Sequence, residues 1–440
     1  MDIQQYLGRE IPCGCGRAHQ TALKRTEISS GAIQKLPEFV RELGHSRVFV
    51  ISDANTWPVL GEKAEAVLKD AGIPCGGVVL PGDVLADEEG VGRILMHFDR
   101  DSDLILAVGT GTVNDIGKLV SYRMRLPYFI AATAPSMDGF VSNVAAMTVD
   151  RMKTTYPAHV PEAVIADLDV LSQAPMEMIA AGLGDILGKY TALCDWKISS
   201  IINGEYECPE IARMMEEAIW EAAGSTDGLL AREPEAVRRL TEALILSGIA
   251  MSFALISRPA SGSEHHISHF WEMRFLTEGR KPVLHGTKVG VGTILSLRLY
   301  QKLLAEPVDF QWARAHAASF DRKAWEAAVR KGFGPAAEGV LELEKTARKN
   351  DAALHGERIC RIQEHWPELT EEMRRLPDAE RVQSLLRKMD AAVSPADLGI
   401  DRELTREAIL LAKEVRDRYT ILQLLWDLGL LERYAADLAE

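Results

Sequence analysis

The 440-residue sequence has no apolar run close to the roughly 20 residues that a membrane-spanning helix needs. Its N-terminal stretch lacks the basic segment and apolar core of a signal peptide, so we expect a cytoplasmic protein. The cysteines at 13, 15, 75, 194, 208 and 360 are scattered, which is not the pattern of a disulfide framework. Positive charge is scarce: 50 Lys and Arg stand against 64 Asp and Glu. The net charge of −14 argues against a nucleic-acid or anionic-membrane partner, although a locally basic site could still bind a small anion.

What the chain does contain is typical of a globular protein with two domains of ordinary size, with 47% hydrophobic and 26% charged residues. Up to about residue 140, short apolar runs alternate with segments of helical periodicity. We predict buried strands at 47–51, 77–80, 104–108 and 128–132, and one more short strand within 164–169. Helices are predicted at 32–43, 57–72 and 87–99. This alternation predicts an α/β fold built on a doubly wound parallel sheet, whose ligands bind at the carboxyl ends of the strands.

From about residue 174 the sequence becomes almost wholly helical. We predict helices from Pro175 towards Gly184 and at 208–223, 234–257, 286–304, 322–332, 335–349 and 405–438. The segment 350–404 is rich in charge and proline, and we expect solvated connections there with one or two short helices. The predicted domains are therefore an α/β domain at 1–173 and an all-α domain at 174–440.

Two strand ends carry residues suited to a dinucleotide. The first predicted strand leads into Asp53, whose carboxylate could bind a ribose hydroxyl. The third leads into Gly109-Thr110-Gly111-Thr112, directly before a helix, where glycines let the backbone approach phosphates and the helix offers free N–H groups. A plain strand-to-helix turn is the alternative. The fourth strand ends in a stretch from Thr133 to Ser142 whose small hydroxyl residues and carboxylate favour a pocket over an ordinary polar loop.

Four histidines fall in one short window of the helical half: His265, His266, His269 and His285. His265 and His269 are four residues apart, so a helix places both imidazoles on one face, whereas His266 points elsewhere. Such a concentration indicates a metal or proton-transfer site, and solvated imidazoles at a polar helix end are an equally compatible interpretation.

Asp185 and Lys189 are also four residues apart, in an apolar helix where a carboxylate is costly unless it is paired or bound to a cation. On the residues alone, a salt bridge between them is favoured over metal ligation. Cys13-Gly-Cys15 followed by His19 looks like a small metal knuckle. It offers at most three ligands, so a tight glycine-rich turn is favoured there over a structural metal.

Taken in order, five stretches resemble the superfamily of dehydroquinate synthases and iron-type (group III) alcohol dehydrogenases, and within it the bacterial branch of the sn-glycerol-1-phosphate dehydrogenase family. They are Gly-Thr-Gly-Thr-Val-Asn-Asp at 109–115, Thr-Ala-Pro-Ser-Met-Asp-Gly at 133–139, Gly-Leu-Gly-Asp-Ile-Leu-Gly-Lys-Tyr at 182–190, Ser-Gly-Ser-Glu-His at 261–265 and His-Gly-Thr-Lys-Val-Gly-Val-Gly-Thr at 285–293. The resemblance covers roughly residues 10–300. It implies a Rossmann-like N-terminal domain, an all-α C-terminal domain and an active site in the cleft between them.

The resemblance also implies roles for particular residues. Asp185, His265 and His285 match the metal ligands. Asp138 and His269 match substrate contacts, and Lys189 is assigned with them to the catalytic group. The positions that match the dinucleotide site are Asp53 at the adenosine ribose and, around the rest of the cofactor, Gly109, Gly111, Thr112, Val113, Asn114, Asp115, Thr133, Ser136 and Ser142.

The implied reaction is the reversible NAD(P)H-linked reduction of dihydroxyacetone phosphate to sn-glycerol-1-phosphate, with one divalent Zn, Ni or Fe(II) ion as Lewis acid. We expect NAD to be preferred over NADP because Asp53 should repel a 2′-phosphate. Lys153, Lys189 and Lys288 are candidates for the substrate phosphate, and surface salt bridges are the favoured alternative for each.

Three other functions stay open. A lyase of the dehydroquinate synthase type would normally carry glutamate where Asp185 stands. The remaining two are a dehydrogenase of an unphosphorylated polyol such as glycerol, and a non-catalytic nucleotide-binding protein, against which the complete ligand set argues. We expect a homodimer, and we interpret 306–404 as an insertion or a subunit contact.

Overall fold

The structure is a computed structural model that describes residues 2–149 and 152–439, without the side chains of Met152 and Lys153. The side chain of Lys153, a candidate for the phosphate, thus lies outside the described residues. Contacts within the chain define two compact units: Met1–Ile186 with Arg213–Ile256, and Leu187–Ala212 with Ser257–Glu440. Among the described residues, no helix is long and apolar enough to cross a bilayer.

The strands lie in the first unit. They are β1 Ile11–Pro12, β2 Ala18–His19, β3 Arg25–Ser29, β4 Val48–Asp53, β5 Cys75–Leu80, β6 Leu104–Gly109, β7 Tyr128–Ala132, β8 Val144–Val149, β9 Met152–Pro157 and β10 Ala163–Asp167. Six of them form one sheet in the order β3-β10-β7-β6-β4-β5, and every pair in it is parallel. The predicted doubly wound parallel sheet is confirmed.

The helices alternate with these strands and then make up the rest of the chain. They are α1 Leu36–Glu42, α2 Glu62–Asp70, α3 Glu88–His97, α4 Gly111–Met124, α5 Leu168–Leu171, α6 Met176–Asn203, α7 Pro209–Gly224, α8 Thr226–Leu230, α9 Pro234–Ala254, α10 Ser263–Thr277, α11 His285–Ala305, α12 Phe310–Ala318, α13 Arg322–Phe333, α14 Ala337–Ala347, α15 Ala352–Glu364, α16 Trp366–Arg374, α17 Ala379–Lys388, α18 Arg402–Leu411, α19 Ile421–Asp427 and α20 Leu431–Ala439.

The central strands of the sheet could be predicted from the sequence because of their burial. β4, β6, β7 and β10 are buried along their whole length, as expected for parallel strands covered on both faces. The edge strand β3 was missed because its Arg25-Thr26-Glu27 start has no apolar run. The antiparallel hairpin of β8 and β9 was also missed, since 144–172 looks irregular in sequence.

The order of the strands locates the ligand crevice of the sheet. From β4 the chain moves outward to β5, whereas from β6 it moves to β7 on the opposite side. The two crossovers diverge between β4 and β6, and in open α/β sheets ligands bind outside the carboxyl ends of strands at such a point. Ile51 pairs with Ala107, so Asp53 and Gly109 end neighbouring strands at the same level.

The second unit corrects two predictions about the helical half. The segment 350–404 is not mainly solvated connection, because α15, α16 and α17 lie in it. Ile359 and Leu369 belong to the main apolar core of that unit, and Val382 on α17 is fully buried. The predicted single helix at 405–438 is interrupted between α18 and α19 and again at Gly429, whose φ of +69° ends α19. The charged residues and prolines of this region lie at helix ends and on exposed helix faces, so they do not indicate a lack of regular structure.

The break after α18 contains a buried polar cluster around Glu414. The carboxylate accepts hydrogen bonds from Trp325 Nε1 at 2.9 Å and Asn350 Nδ2 at 3.1 Å. It also pairs with the ammonium groups of Lys413 and Lys349. Burial opposes ionisation of this carboxyl, but the two ammonium groups outweigh it and lower its pKa to about 2.

Replacing Glu414 by glutamine should lower the free energy of unfolding at pH 7 by about 3 kcal/mol, because two buried ammonium groups lose their counter-ion. The wild-type carboxylate stabilises the fold above its ordinary pKa of 4.5 and ceases to do so as the pH falls towards 2. The difference in the free energy of unfolding between the wild type and the variant, measured by denaturant titration, should therefore be smaller at pH 3 than at pH 7. Glu342→Gln, an exposed partner of Lys345, is the control and should cost less than about 1 kcal/mol. Equal losses in both variants would refute the prediction.

Candidate active site

The turn between β6 and α4 lies at the ligand crevice of the sheet. A Cβ at Gly109 would approach the Cβ of Val113 to 2.7 Å, so only glycine allows this close approach of strand and helix. Thr110 has an extended backbone with φ −134°, which any residue adopts, and α4 starts at Gly111. Thr112 lies in the first turn of α4, where unpaired N–H groups and the helix dipole favour an anion.

Hydrogen bonds join this turn to the stretch that follows β7. Thr110 Oγ1 lies 2.7 Å from Ser136 Oγ, and the Thr133 backbone N donates to the Gly109 carbonyl at 3.1 Å. At the end of β4, one carboxylate oxygen of Asp53 accepts the backbone N–H groups of Asn55 and Thr56 at 2.9 and 2.8 Å. The structure thus brings three of the predicted dinucleotide segments to neighbouring strand ends.

Three predicted dinucleotide residues make contacts with other side chains and with the backbone near the 139–144 stretch. The Asn114 side chain is fully buried, donates to the Gly139 carbonyl at 3.3 Å and accepts from Tyr128 Oη at 3.0 Å. Ser142 accepts a 2.9 Å hydrogen bond from Lys118 Nζ. Asp115, half-buried, has an oxygen 3.7 Å from the same ammonium group.

Lys118 was not found by sequence reasoning. Its ammonium group also donates to the carbonyls of Gly139 at 2.6 Å and Val144 at 3.1 Å, and its burial lowers its pKa. It therefore fixes the 139–144 backbone beside the crevice. The only sequence signal was a lysine on the buried face of α4.

Asp185 lies on α6 directly against the 133–139 stretch. A Cβ at Gly182 would lie 1.9 Å from the carbonyl oxygen of Pro135, so helix and loop are in backbone contact there. One carboxylate oxygen of Asp185, which is fully buried, accepts the backbone N–H of Asp138 at 2.9 Å. The Asp138 carboxylate in turn accepts from Ser247 Oγ on α9 at 2.7 Å. The two carboxylates are thus held in fixed positions.

His265 lies in the first turn of α10, and His285 begins α11. A Cβ at Gly188 would lie 2.7 Å from Val289 and 3.2 Å from Glu264, so the α6 segment one turn after Asp185 packs tightly on both helices. One ligand atom each from Asp185, His265 and His285 lies within 4.8 Å of the other two. His266 faces the other way, fully buried, and neither of its ring nitrogens has a hydrogen-bond partner among the described residues.

His269 completes a cluster of three imidazoles. Its ring centroid is 6.0 Å from that of His265 and 5.7 Å from that of His285. Its Nδ1 lies 3.4 Å from Glu272 Oε2, and burial lowers its pKa to about 4. The ring is therefore neutral near pH 7. Lys288 lies close by and is buried, with Nζ 3.8 Å from Glu272 Oε1, so it does not belong to a surface salt bridge.

Glu264 is a buried carboxylate beside the metal-ligand candidates, and the sequence pattern predicts no role for it. Its Oε1 lies 2.6 Å from His265 Nδ1 and accepts the backbone N–H of Gly262 at 2.7 Å. Its Oε2 accepts from Thr191 Oγ1 at 2.5 Å, and burial raises its pKa. With Nδ1 of His265 engaged, Nε2 is the nitrogen available to a metal.

The donor set suits a divalent cation. One carboxylate and two imidazoles are ligands for Zn, Fe(II) or Ni, and three protein donors leave positions open for substrate. The Asp185 carboxylate is fully buried, and a buried carboxylate is costly unless it is paired or bound to a cation. The residues present therefore fit the divalent metal that the sequence resemblance implies.

Comparison with known proteins first defines the class. Residues 27–175 match the family model described as iron-containing alcohol dehydrogenase. The fold extends this likeness: the crystal structure of glycerol dehydrogenase from Schizosaccharomyces pombe has a TM-score of 0.61 at 17% identity, covering 95% of this chain and 91% of that one. Maleylacetate reductase from Agrobacterium tumefaciens has a TM-score of 0.58 at 16% identity, covering 90% and 91%. At such identities the likeness shows the fold alone.

Curated relatives then define the family. The glycerol-1-phosphate dehydrogenase (NAD(P)+) of Halalkalibacterium halodurans is 35% identical over 415 residues, 93% of this chain and 94% of the relative. That of Geobacillus stearothermophilus is 33% identical over 98% of this chain and 99% of the relative. The chain belongs to the glycerol-1-phosphate dehydrogenase family.

Proposed function

We propose that this protein interconverts dihydroxyacetone phosphate and sn-glycerol-1-phosphate with NAD(P)H, using one divalent metal held by Asp185, His265 and His285. The observation that carries the proposal is the convergence of these three ligand atoms within 4.8 Å, with the neutral imidazole of His269 beside them. When bound, the dinucleotide supplies the hydride and the metal acts as Lewis acid on the carbonyl oxygen.

The protein side chains position the substrate and the proton. We assign the substrate hydroxyl groups to Asp138 and His269. Glu272 accepts the Nδ1–H of His269, so Nε2 is the atom that would hydrogen-bond the substrate oxygen and pass a proton to or from it. We assign the phosphate to the lysines of this region, Lys189 and Lys288, which are both buried. The expected homodimer and the cytoplasmic location stay predictions.

The dinucleotide would lie across the switch point between β4 and β6. Its pyrophosphate would meet the Gly109–Thr112 turn and the first N–H groups of α4. Its adenosine ribose would meet Asp53, where one oxygen is fixed by two backbone N–H groups and the other has no hydrogen bond to a described residue. A free carboxylate oxygen there favours the two ribose hydroxyls of NAD.

The experiment follows NADH oxidation by absorbance with dihydroxyacetone phosphate as substrate. The enzyme is stripped of metal with a chelator and reloaded separately with Zn, Ni or Fe(II). Turnover that appears only after reloading supports the proposal and identifies the working ion. If the protein binds NADH but oxidises none with any ion, the proposal fails, and glycerol and sugar phosphates become the next substrates to assay.

Asp53 should set the cofactor preference. In Asp53→Ser, the ratio of kcat/KM for NADPH to that for NADH should rise about tenfold, since a repulsion of about 1.4 kcal/mol with the 2′-phosphate is removed. Asp83→Ser removes one exposed carboxylate from the loop after the neighbouring β5 and should leave the ratio unchanged. A shift of the same size in both variants would indicate a general charge effect instead.

A further inference from the structure

Three side chains of the types that bind metals lie on the small hairpin formed by β1 and β2. Cys13 and Cys15 lie in its turn, and His19 ends β2. Cys15 Sγ lies 3.4 Å from His19 Nε2. His19 Nδ1 lies 3.1 Å from the carbonyl oxygen of Phe253, which can only accept, so Nδ1 carries the proton and Nε2 presents its lone pair to the thiols. The Phe253 ring stacks on the imidazole at 5.4 Å and fixes its orientation.

A fourth donor comes from a distant part of the sequence. Cys208 is fully buried and stands immediately before α7, and its carbonyl accepts the first backbone hydrogen bond of that helix, from Ala212, at 3.0 Å. A thiolate at a helix N-terminus is stabilised by the helix dipole. One ligand atom each from Cys13, Cys15, His19 and Cys208 lies within 4.8 Å of every other.

We propose that these four residues bind a structural zinc ion, separate from the catalytic metal. Tetrahedral zinc bonds of about 2.3 Å to sulfur and 2.0 Å to nitrogen place neighbouring ligand atoms about 3.5–3.8 Å apart. The observed separation of Cys15 and His19 is close to this value, and the limit of 4.8 Å requires only small adjustments from the other atoms. Binding releases the protons of the three thiols, which become zinc thiolates.

The donor chemistry separates this ion from the one that the active site would hold. Four protein ligands leave no open position for substrate, which is the property of structural zinc sites. Three thiolates select zinc over Mg, Mn or Fe(II) far more strongly than a carboxylate and two imidazoles do. The site also gives stability to a hairpin whose two strands have only two residues each and which could not be stable by itself.

The test measures metal content and cobalt spectra on the full-length protein. Asp185→Ala, which removes a ligand of the other metal, should still hold one zinc ion per chain. Its cobalt-substituted form should show the intense near-ultraviolet absorption of thiolate-to-cobalt charge transfer. Adding Cys208→Ser to Asp185→Ala should remove both the zinc and that absorption, whereas adding Cys360→Ser, which changes an exposed thiol on α15, should keep both.

Two further results decide the matter. His19→Cys offers four thiolates, so it should retain zinc, and its cobalt form should show a stronger charge-transfer band. This variant keeps the proposal testable even if the Cys208 variant does not fold. The proposal is overturned if Asp185→Ala purified with excess zinc holds none, or if Asp185→Ala carrying Cys208→Ser holds as much zinc as Asp185→Ala alone. Because Asp185→Ala is the reference, these outcomes do not depend on whether the enzyme reduces dihydroxyacetone phosphate.

Discussion

Asp185→Asn is expected to lower metal-dependent turnover of dihydroxyacetone phosphate by about a thousandfold. The carboxylate is the single anionic donor of the three ligand candidates, and its loss leaves two neutral imidazoles to hold a dication. Lewis-acid stabilisation of a developing alkoxide is worth several kcal/mol, and each 1.4 kcal/mol corresponds to about tenfold in rate. The measurement is NADH oxidation with the working metal present, together with the metal content of the purified variant.

The asparagine variant separates loss of charge from loss of fold. The amide oxygen of asparagine can still accept the hydrogen bond that the Asp138 backbone N–H gives to Asp185 at 2.9 Å. The melting temperature of the metal-free variant should therefore stay close to that of the metal-free parent. Glu177→Gln removes an exposed carboxylate from the same helix and should change neither rate nor metal content. Turnover near the parent level in Asp185→Asn would exclude Asp185 as a ligand.

Much of the sheet could be predicted because its signals are local. Buried parallel strands appear as short apolar runs, so β4, β6 and β7 were found from sequence, and the turn after β6 was recognisable by its two glycines. The edge strand β3 and the hairpin of β8 and β9 escaped because their residues are largely polar or mixed, and it is pairing with neighbouring strands that makes them extended. The local sequence pattern does not predict pairing between strands that are distant in sequence.

The polar residues of the site also divide into those with a local sequence signal and those whose role depends on long-range contacts. The spacing of His265 and His269 is a signal within one helix, and it was readable. Cys208 carries no such signal, because nothing in its neighbourhood relates it to the cysteines of the first hairpin. The contacts of Lys118 and Glu264 also become visible only in the structure, where these buried side chains fix the 139–144 backbone and the His265 side chain. Long-range contacts decide these roles.

The Glu264 carboxylate is expected to control the affinity of the catalytic metal through His265. Its Oε1 engages His265 Nδ1 at 2.6 Å, which sets the tautomer, orients the ring and increases the basicity of Nε2. Removing such a partner of a ligating histidine typically costs about 10- to 100-fold in metal affinity. We expect about tenfold for Glu264→Gln, which keeps an acceptor but loses the charge, and about a hundredfold for Glu264→Ala, which loses both.

Competition with a chromophoric chelator measures this affinity directly, without reference to turnover. Thr191→Val is the matched control, because it removes only the hydroxyl that donates to Glu264 Oε2 at 2.5 Å and leaves the contact with His265 in place. Its effect on the dissociation constant should be smaller than that of either Glu264 variant. If Glu264→Ala binds the metal as tightly as the parent, then the buried carboxylate does not act through His265. Its contacts with Gly262 and Thr191 would then serve only to hold α6 against the start of α10.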